Sequence, residues 1–327
     1  MITMLSSKTI PFLVFISCCL PPPCAALGTF ALSPPAGKNY VTCEGVYPGH
    51  LQGITTNGAD AIYWSFTTAL VKTTPAGKVL KKINVINHHG DLTFANGKVY
   101  VAVNDYVSEK PGQFNHPNPN NPARQWVYEY DADLNFLARH SVPQVIHGAG
   151  GVAHHKGHFW VVGGLPGPWA GGFDPEKYNK NHLYEYDVAF RFVKAHELAT
   201  GNTDMGIQTV EFGGGRWWFG TYEGSPRRPV GGKGTPGWRH QVFSTGETLA
   251  AFARFGFHAG KPEGIYPNAS LGIAALPGGQ FLIGGGSGKK NERRGHAWMA
   301  EATDDGRLRV LDRVSEMMDG GSMHSKK

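Results

Sequence analysis

Cysteine is scarce in this chain, long apolar runs are missing after its first segment, no helical period is sustained, and neither sign of charge dominates. Only 4 cysteines occur in 327 residues, and Cys18, Cys19 and Cys24 all precede position 25. Cleavage after Ala26 would leave Cys43 alone, which excludes a disulfide framework in the mature chain. An isolated cysteine of this kind reads as a small buried apolar residue rather than a nucleophile. The apolar stretch from Ile10 to Leu20 is too short to span a bilayer. With Lys8 before it and Cys24-Ala25-Ala26 after it, residues 1–26 read as a secretory signal, so the mature protein is expected to be soluble and periplasmic or secreted. Phe15-Ile16-Ser17-Cys18 loosely matches a bacterial lipoprotein box, which gives a lipid anchor on Cys18 as the alternative. The formal charge of +6 is mild. Its basic residues gather in local clusters, Arg227-Arg228 and Lys289-Lys290 with Arg293-Arg294, and no basic stripe interleaved with aromatics appears, so nucleic acid is not an expected partner.

What the chain has instead is repetition. Leu70-Val71-Lys72-Thr73-Thr74 through Val85, Val127-Tyr128-Glu129-Tyr130-Asp131 through Val142, and Leu183-Tyr184-Glu185-Tyr186-Asp187 through Leu198 align without gaps. Looser copies run from His240 to Phe257 and from Ala297 to Val314, giving a period of just under sixty residues. A further strand pair precedes each copy: His50 to Phe66, His88 to Val103, Gly148 to Val162, Gly206 to Tyr222 and Gly272 to Gly284. Asn57-Gly58, Asn96-Gly97 and Gly278-Gly279 are hairpin turns, because Gly and Asn accept positive φ. The 45 glycines argue against helix, since each interior glycine costs about 1 kcal/mol relative to alanine. Five copies of four strands predict an all-β fold, a five-bladed β-propeller with four-stranded antiparallel blades over residues 27–318, in which radial repetition leaves only short strand edges. Tyr40 to Tyr47 is a candidate extra strand on the last blade. Residues 319–327 read as a flexible tail.

In strand order and repeat, residues 45 to 315 resemble the five-bladed propellers of secreted bacterial proteins. The resemblance implies a fold and carries no catalytic residues with it.

In a propeller, the innermost strand of each blade starts at the face to which the loop between its second and third strands returns. Polar residues stand at those starts: His50 and Gln52, His88-His89-Gly90-Asp91, His147-Gly148, Gly206-Ile207-Gln208, and Asn268 with Ser270. Loops on the same face carry Trp169, Trp238, Arg227, Arg228 and Arg239, and aromatic faces with guanidinium forks suit an acidic sugar. Three chemistries follow. A divalent transition metal would be held by His50, His89, His147 and Gln208. A glycan lyase or hydrolase would use His88, His147 and Asp91 as its catalytic groups, with Arg227, Arg228, Arg239, Trp169, Trp238 and Gln52 binding the ligand. A binding module without turnover fits the same surface. In each case the expected partner is an anionic small molecule or glycan. The histidines at 154, 155 and 158 fall at a hairpin turn away from this face.

Overall fold

Runs such as Ile62–Phe66 and Lys98–Asn104, aromatic or β-branched at most positions, form strands between tight turns. Asn96 and Gly97 take φ values of 52° and 76°, the left-handed pair that a two-residue hairpin needs to match strand twist. The computed structural model describes residues 30–85, 88–104, 125–145, 147–165, 177–201, 203, 205–221, 242–256 and 265–312. The expected signal and tail lie outside the described residues.

The strands run in chain order around a ring. After β1 (Tyr40–Thr42), blade 1 comprises β2 (Leu51–Thr56), β3 (Ile62–Phe66), β4 (Ala69–Thr73) and β5 (Val79–Asn84). Blade 2 is β6 (His88–Ala95), β7 (Lys98–Asn104), β8 (Gln125–Asp131) and β9 (Phe136–Ser141). Blade 3 is β10 (Ala149–His155), β11 (His158–Gly163), β12 (Asn181–Tyr186) and β13 (Phe192–Leu198). Blade 4 is β14 (Ile207–Gly213), β15 (Arg216–Thr221), β16 (Val242–Gly246) and β17 (Phe252–Phe255), and blade 5 is β18 (Ile273–Ala275), β19 (Gln280–Ser287), β20 (Arg294–Ala302) and β21 (Leu308–Val310). Each blade is an antiparallel meander, and the chain is a five-bladed β-propeller.

Closure uses the start of the described chain. β1 pairs with β20, placing Val41 opposite Ala297 and Thr42 opposite His296, while β21 pairs with the other end of β20. A bridge between Tyr47 and Arg293 prolongs the contact, as the position of Tyr40 to Tyr47 in the repeat predicts. Inside this closing strand Cys43 is fully buried, with its Sγ 3.3 Å from the Tyr47 hydroxyl, and burial pushes its thiol up to about 12. It packs as a small buried side chain, as its isolation in the sequence suggests.

The core is divided among the seams between blades. Trp64 and Phe66 meet Leu282 and Met299 between blades 1 and 5, Tyr63 meets Val101 between blades 1 and 2, and Ala102 meets Val161 between blades 2 and 3. Val162 meets Phe219 between blades 3 and 4, and Trp218 meets Phe281 between blades 4 and 5. Near the axis the innermost strands touch backbone to backbone. A methyl group on Gly90 would stand 2.3 Å from the Gly150 carbonyl oxygen, and one on Gly53 would stand 2.2 Å from Asp91 Oδ1. These glycines form a collar where side chains do not fit.

Candidate functional site: the channel mouth

Four innermost strands share an irregularity just inside the mouth. The pairing register breaks between Leu51 and Gly53, between His89 and Leu92, between Ala149 and Gly151, and between Ile207 and Thr209. A bulge inserts a residue and re-aims its side chain, so it detaches Gln52 and Gln208 from the alternation of their strands. Sequence patterning does not reveal it, because no residue type marks this bulge in all four strands.

Gln52 is the centre of the best-defined cluster. Its side-chain nitrogen lies 2.8 Å from His50 Nε2 and 3.0 Å from His88 Nε2, the two contacts that take its two protons, with Thr67 Oγ1 further off at 3.3 Å. A carboxamide NH₂ only donates, so both imidazoles accept at Nε2 and carry their proton on Nδ1. Burial is the main reason both rings are held neutral. It takes His88 down to about 3, with the nearby His50 adding to the effect. His50 is open to solvent on one side but crowded by protein on the other, and its pKa is also lowered, with the Arg293 charge as the second cause. Blades 1 and 2 thus present two neutral imidazoles joined through one amide, with a cation nearby.

The other expected site residues go elsewhere. His89 does not face the mouth: neighbouring strand residues point to opposite faces, and its ring lies in the seam between blades 1 and 2, with Nε2 2.9 Å from the Tyr130 hydroxyl. Gln208 donates to the Met205 carbonyl at 3.0 Å. His147 stands edge-on to Tyr178 at 5.3 Å, beside a separate pocket on the same face. His50, His89, His147 and Gln208 therefore do not converge, and among the described residues no group of three or more His, Cys, Asp or Glu side chains is placed to hold a metal. Asp91 lies beneath the collar with no exposed surface, not at the open mouth. Its Oδ2 accepts from the Val210 amide across the axis at 3.2 Å, Oδ1 has no partner, and burial raises its pKa well above the ordinary value of an aspartate. Arg227, Arg228, Arg239, Trp169 and Trp238 lie outside the described residues.

Of the histidines at the opposite face, His154 packs against Phe159 at 5.1 Å, and three others have carboxylate partners. His155 reaches Glu247 at 3.2 Å, while His158 and His196 hold the two oxygens of Glu185 at 2.5 and 2.8 Å.

No protein-family model and no curated protein matches the chain. Solved structures do. CoXyl43, a GH43 β-xylosidase/α-arabinofuranosidase from a compost microbial metagenome, superposes with a TM-score of 0.55 at 10% identity, covering 85% of this chain and 98% of its own. RS223-β-xylosidase gives 0.53 at 12% identity, covering 82% and 96%. The likeness is one of fold. A glutaminyl cyclase from Myxococcus xanthus, at a TM-score of 0.49 and 12% identity, covers 84% of this propeller and 96% of its own chain.

Two residues of this propeller's mouth were not singled out by sequence reasoning. Thr67 directly follows the second strand of blade 1, Asn104 ends that of blade 2, and Asn104 pairs with His88 across the ladder. A polar residue at the end of a second strand was the available signal, because that end returns to the mouth.

Proposed function

We propose that this chain is an exported propeller that binds an anionic, carbohydrate-like ligand at the channel mouth through His50, Gln52 and His88. The observation that carries the reading is the bridge from one carboxamide to two neutral imidazoles, drawn from two blades and aimed by a bulge. Hydroxyl groups of a sugar both donate and accept, so they can replace each partner in that bridge. Arg293 supplies the positive field beside His50 that favours a carboxylate or sulfate. No helix among the described residues is long and apolar enough to cross a membrane.

Turnover is the second reading, favoured by the unprotonated Nε2 atoms of the pair. In a lyase, one such nitrogen, once the ligand displaces Gln52 from it, takes the proton beside a uronate carboxylate that a cation neutralises; the C–H electron pair forms the ring double bond, the adjacent glycosidic C–O bond breaks, and the departing oxygen leaves as a hydroxyl protonated by solvent. A hydrolase requires two carboxyl groups across a sugar, and Asp91 is enclosed below the collar, where it serves to join blades 2 and 4. The histidine-based lyase draws on described residues, whereas the loop carboxylates a hydrolase could use, Asp105, Glu109, Asp174 and Glu223, lie outside them, so both catalytic forms stand beside the binding module.

Calorimetric titration with oligogalacturonides tests the binding reading. Gln52→Ala and the His50→Ala/His88→Ala double variant are expected to lose about tenfold or more in affinity, equivalent to about 1.4 kcal/mol. Affinity equal to wild type in both variants would refute the assignment. New unsaturated ends, detected by ultraviolet absorbance, mark lyase activity; tight binding with no absorbance change identifies a binding module.

A further inference from the structure

The mouth is not the only concavity on its face. A pocket of about 230 Å³ opens where β11 ends and β12 begins, lined by His147, Gly164, Leu165, Lys177, Tyr178 and His182 among others. The topology puts it on the mouth side, since β10 starts there and β11 runs back to it. Its walls are largely apolar and aromatic, its cations are Lys177 and Lys180, and Lys180 is paired with Glu197 at 2.7 Å. The Lys177 ammonium lies 5.3 Å from the centre of the Tyr178 ring. Burial lowers the pKa of His147 and of His182; Lys177 adds to this at His147, whereas at His182 Glu197 opposes it and Lys180 adds a smaller push downward.

Three steps connect this pocket to the mouth. His88 is the ladder partner of Asn104. The Asn104 carboxamide lies directly over Gly148, where a methyl group would meet its Oδ1 at 2.6 Å, and Gly148 follows His147. Asn104 is 7% exposed and its Oδ1 has no hydrogen-bond partner, so an acceptor stands at the junction. Cross-strand and sequential spacings put the two ends on the order of 10 to 15 Å apart.

We propose that the pocket is a second subsite for the same ligand, taking one acidic sugar unit of an oligomer against Tyr178 and Lys177 while another unit occupies His50, Gln52 and His88. The inference rests on the proposed function and narrows it to a chain-like, polyanionic saccharide. The volume admits one ring or a small acid, being below the usual range of pockets for larger ligands. An aromatic ring supplies a stacking face for a sugar, and the ammonium supplies the counter-charge.

The test is calorimetric titration with galacturonic acid monomer, dimer and trimer, and with a neutral xylo-oligosaccharide of equal length as comparator. Wild type is expected to bind the trimer at least about tenfold more tightly than the monomer. Tyr178→Ala and Lys177→Ala should abolish the gain of trimer over monomer, whereas Gln52→Ala should weaken binding of both lengths. Thermal melts and Tyr178→Phe, which keeps the ring, control for misfolding. Equal trimer affinity in wild type and the pocket variants, with Gln52→Ala still weakened, overturns the second subsite and leaves the mouth intact. Preference for the neutral oligomer overturns the anionic assignment of both. Absence of binding to any acidic sugar overturns the proposed function and the subsite together.

Discussion

Replacing Glu211 by glutamine should change how the stability of this propeller depends on pH. Glu211 lies on β14, the innermost strand of blade 4, and is 8% exposed. Its Oε1 accepts from the Phe212 amide at 2.9 Å, which favours the anion, yet burial outweighs this and lifts its pKa from 4.5 to about 8. Between those values the unfolded chain has released the proton while the folded chain keeps it. Stability from this group is therefore fully present below about pH 4.5 and is lost as pH rises through about 8. The slope is about 1.4 kcal/mol per pH unit, which accumulates to something on the order of 5 kcal/mol across the interval. Glutamine is neutral throughout. Urea unfolding of wild type and Glu211→Gln from pH 4.5 to 8.5 should give curves whose separation moves steadily in favour of the variant as pH rises. The comparison cancels the opposing contribution of the neutral histidines, which is common to both proteins. A separation that stays constant with pH would mean that Glu211 ionises in the folded state as it does in water, and the argument from burial would fail.

Three further outcomes follow from the same geometry. Gly90→Ala places a methyl group against the Gly150 and Ala102 carbonyl oxygens, so it should cost about 2 to 4 kcal/mol in denaturant unfolding, whereas Gly246→Ala, with open space around it, should stay within about 1 kcal/mol. Gln52→Glu sets a carboxylate beside two imidazole nitrogens; NMR titration should then find at least one of His50 and His88 protonating near neutral pH, against about 3 for His88 in wild type, and unchanged titrations would contradict the bridge. His296, fully enclosed in blade 5, is held down to about 4, so its contribution is complete above the unfolded value of 6.5 and is lost as pH falls toward 4. His296→Gln should flatten that acid limb, and equal acid sensitivity in wild type and variant would remove His296 from the explanation.

The blades were legible because their signal is local and repeated: turn, short strand, turn, with the Glu-Tyr-Asp copies setting the phase. The closing strand was legible as an extra segment, Tyr40 to Tyr47, ahead of the first repeat. The mouth was read only in part. His50 and His88 could be placed from their positions at strand starts, but His88 and His89 are consecutive and a strand cannot send both into one channel. The bulges are what single-sequence alternation misses, since they move Gln52 and Gln208 out of the faces their positions imply. Asp91 shows the same limit in another form. An acidic residue near a mouth suggests chemistry, and only packing against Gly53 and Val210 reveals a buried tie across the axis. The pocket beside Tyr178 draws on three nearby stretches in and next to blade 3, at His147, Gly163 to Leu165 and Lys177 to Tyr184, and no sequence period marks their approach.

The joint that completes the ring bears on how the molecule comes into being. His296 holds Thr42 through Nδ1 at 2.9 Å and Ser287 through Nε2 at 2.7 Å, and Thr42 and His296 are 254 positions apart. Contacts so remote in sequence carry a high loop-closure cost and slow the final step of folding. Blades 1 to 4 can zip up locally as the chain emerges, but blade 5 cannot gain β1 until nearly the whole polypeptide is available. A chain halted before β20 would carry four assembled blades and an open edge, and that edge would be a template for pairing with another copy. Production yield in truncation or slow-translation experiments should accordingly drop abruptly at blade 5 rather than blade by blade.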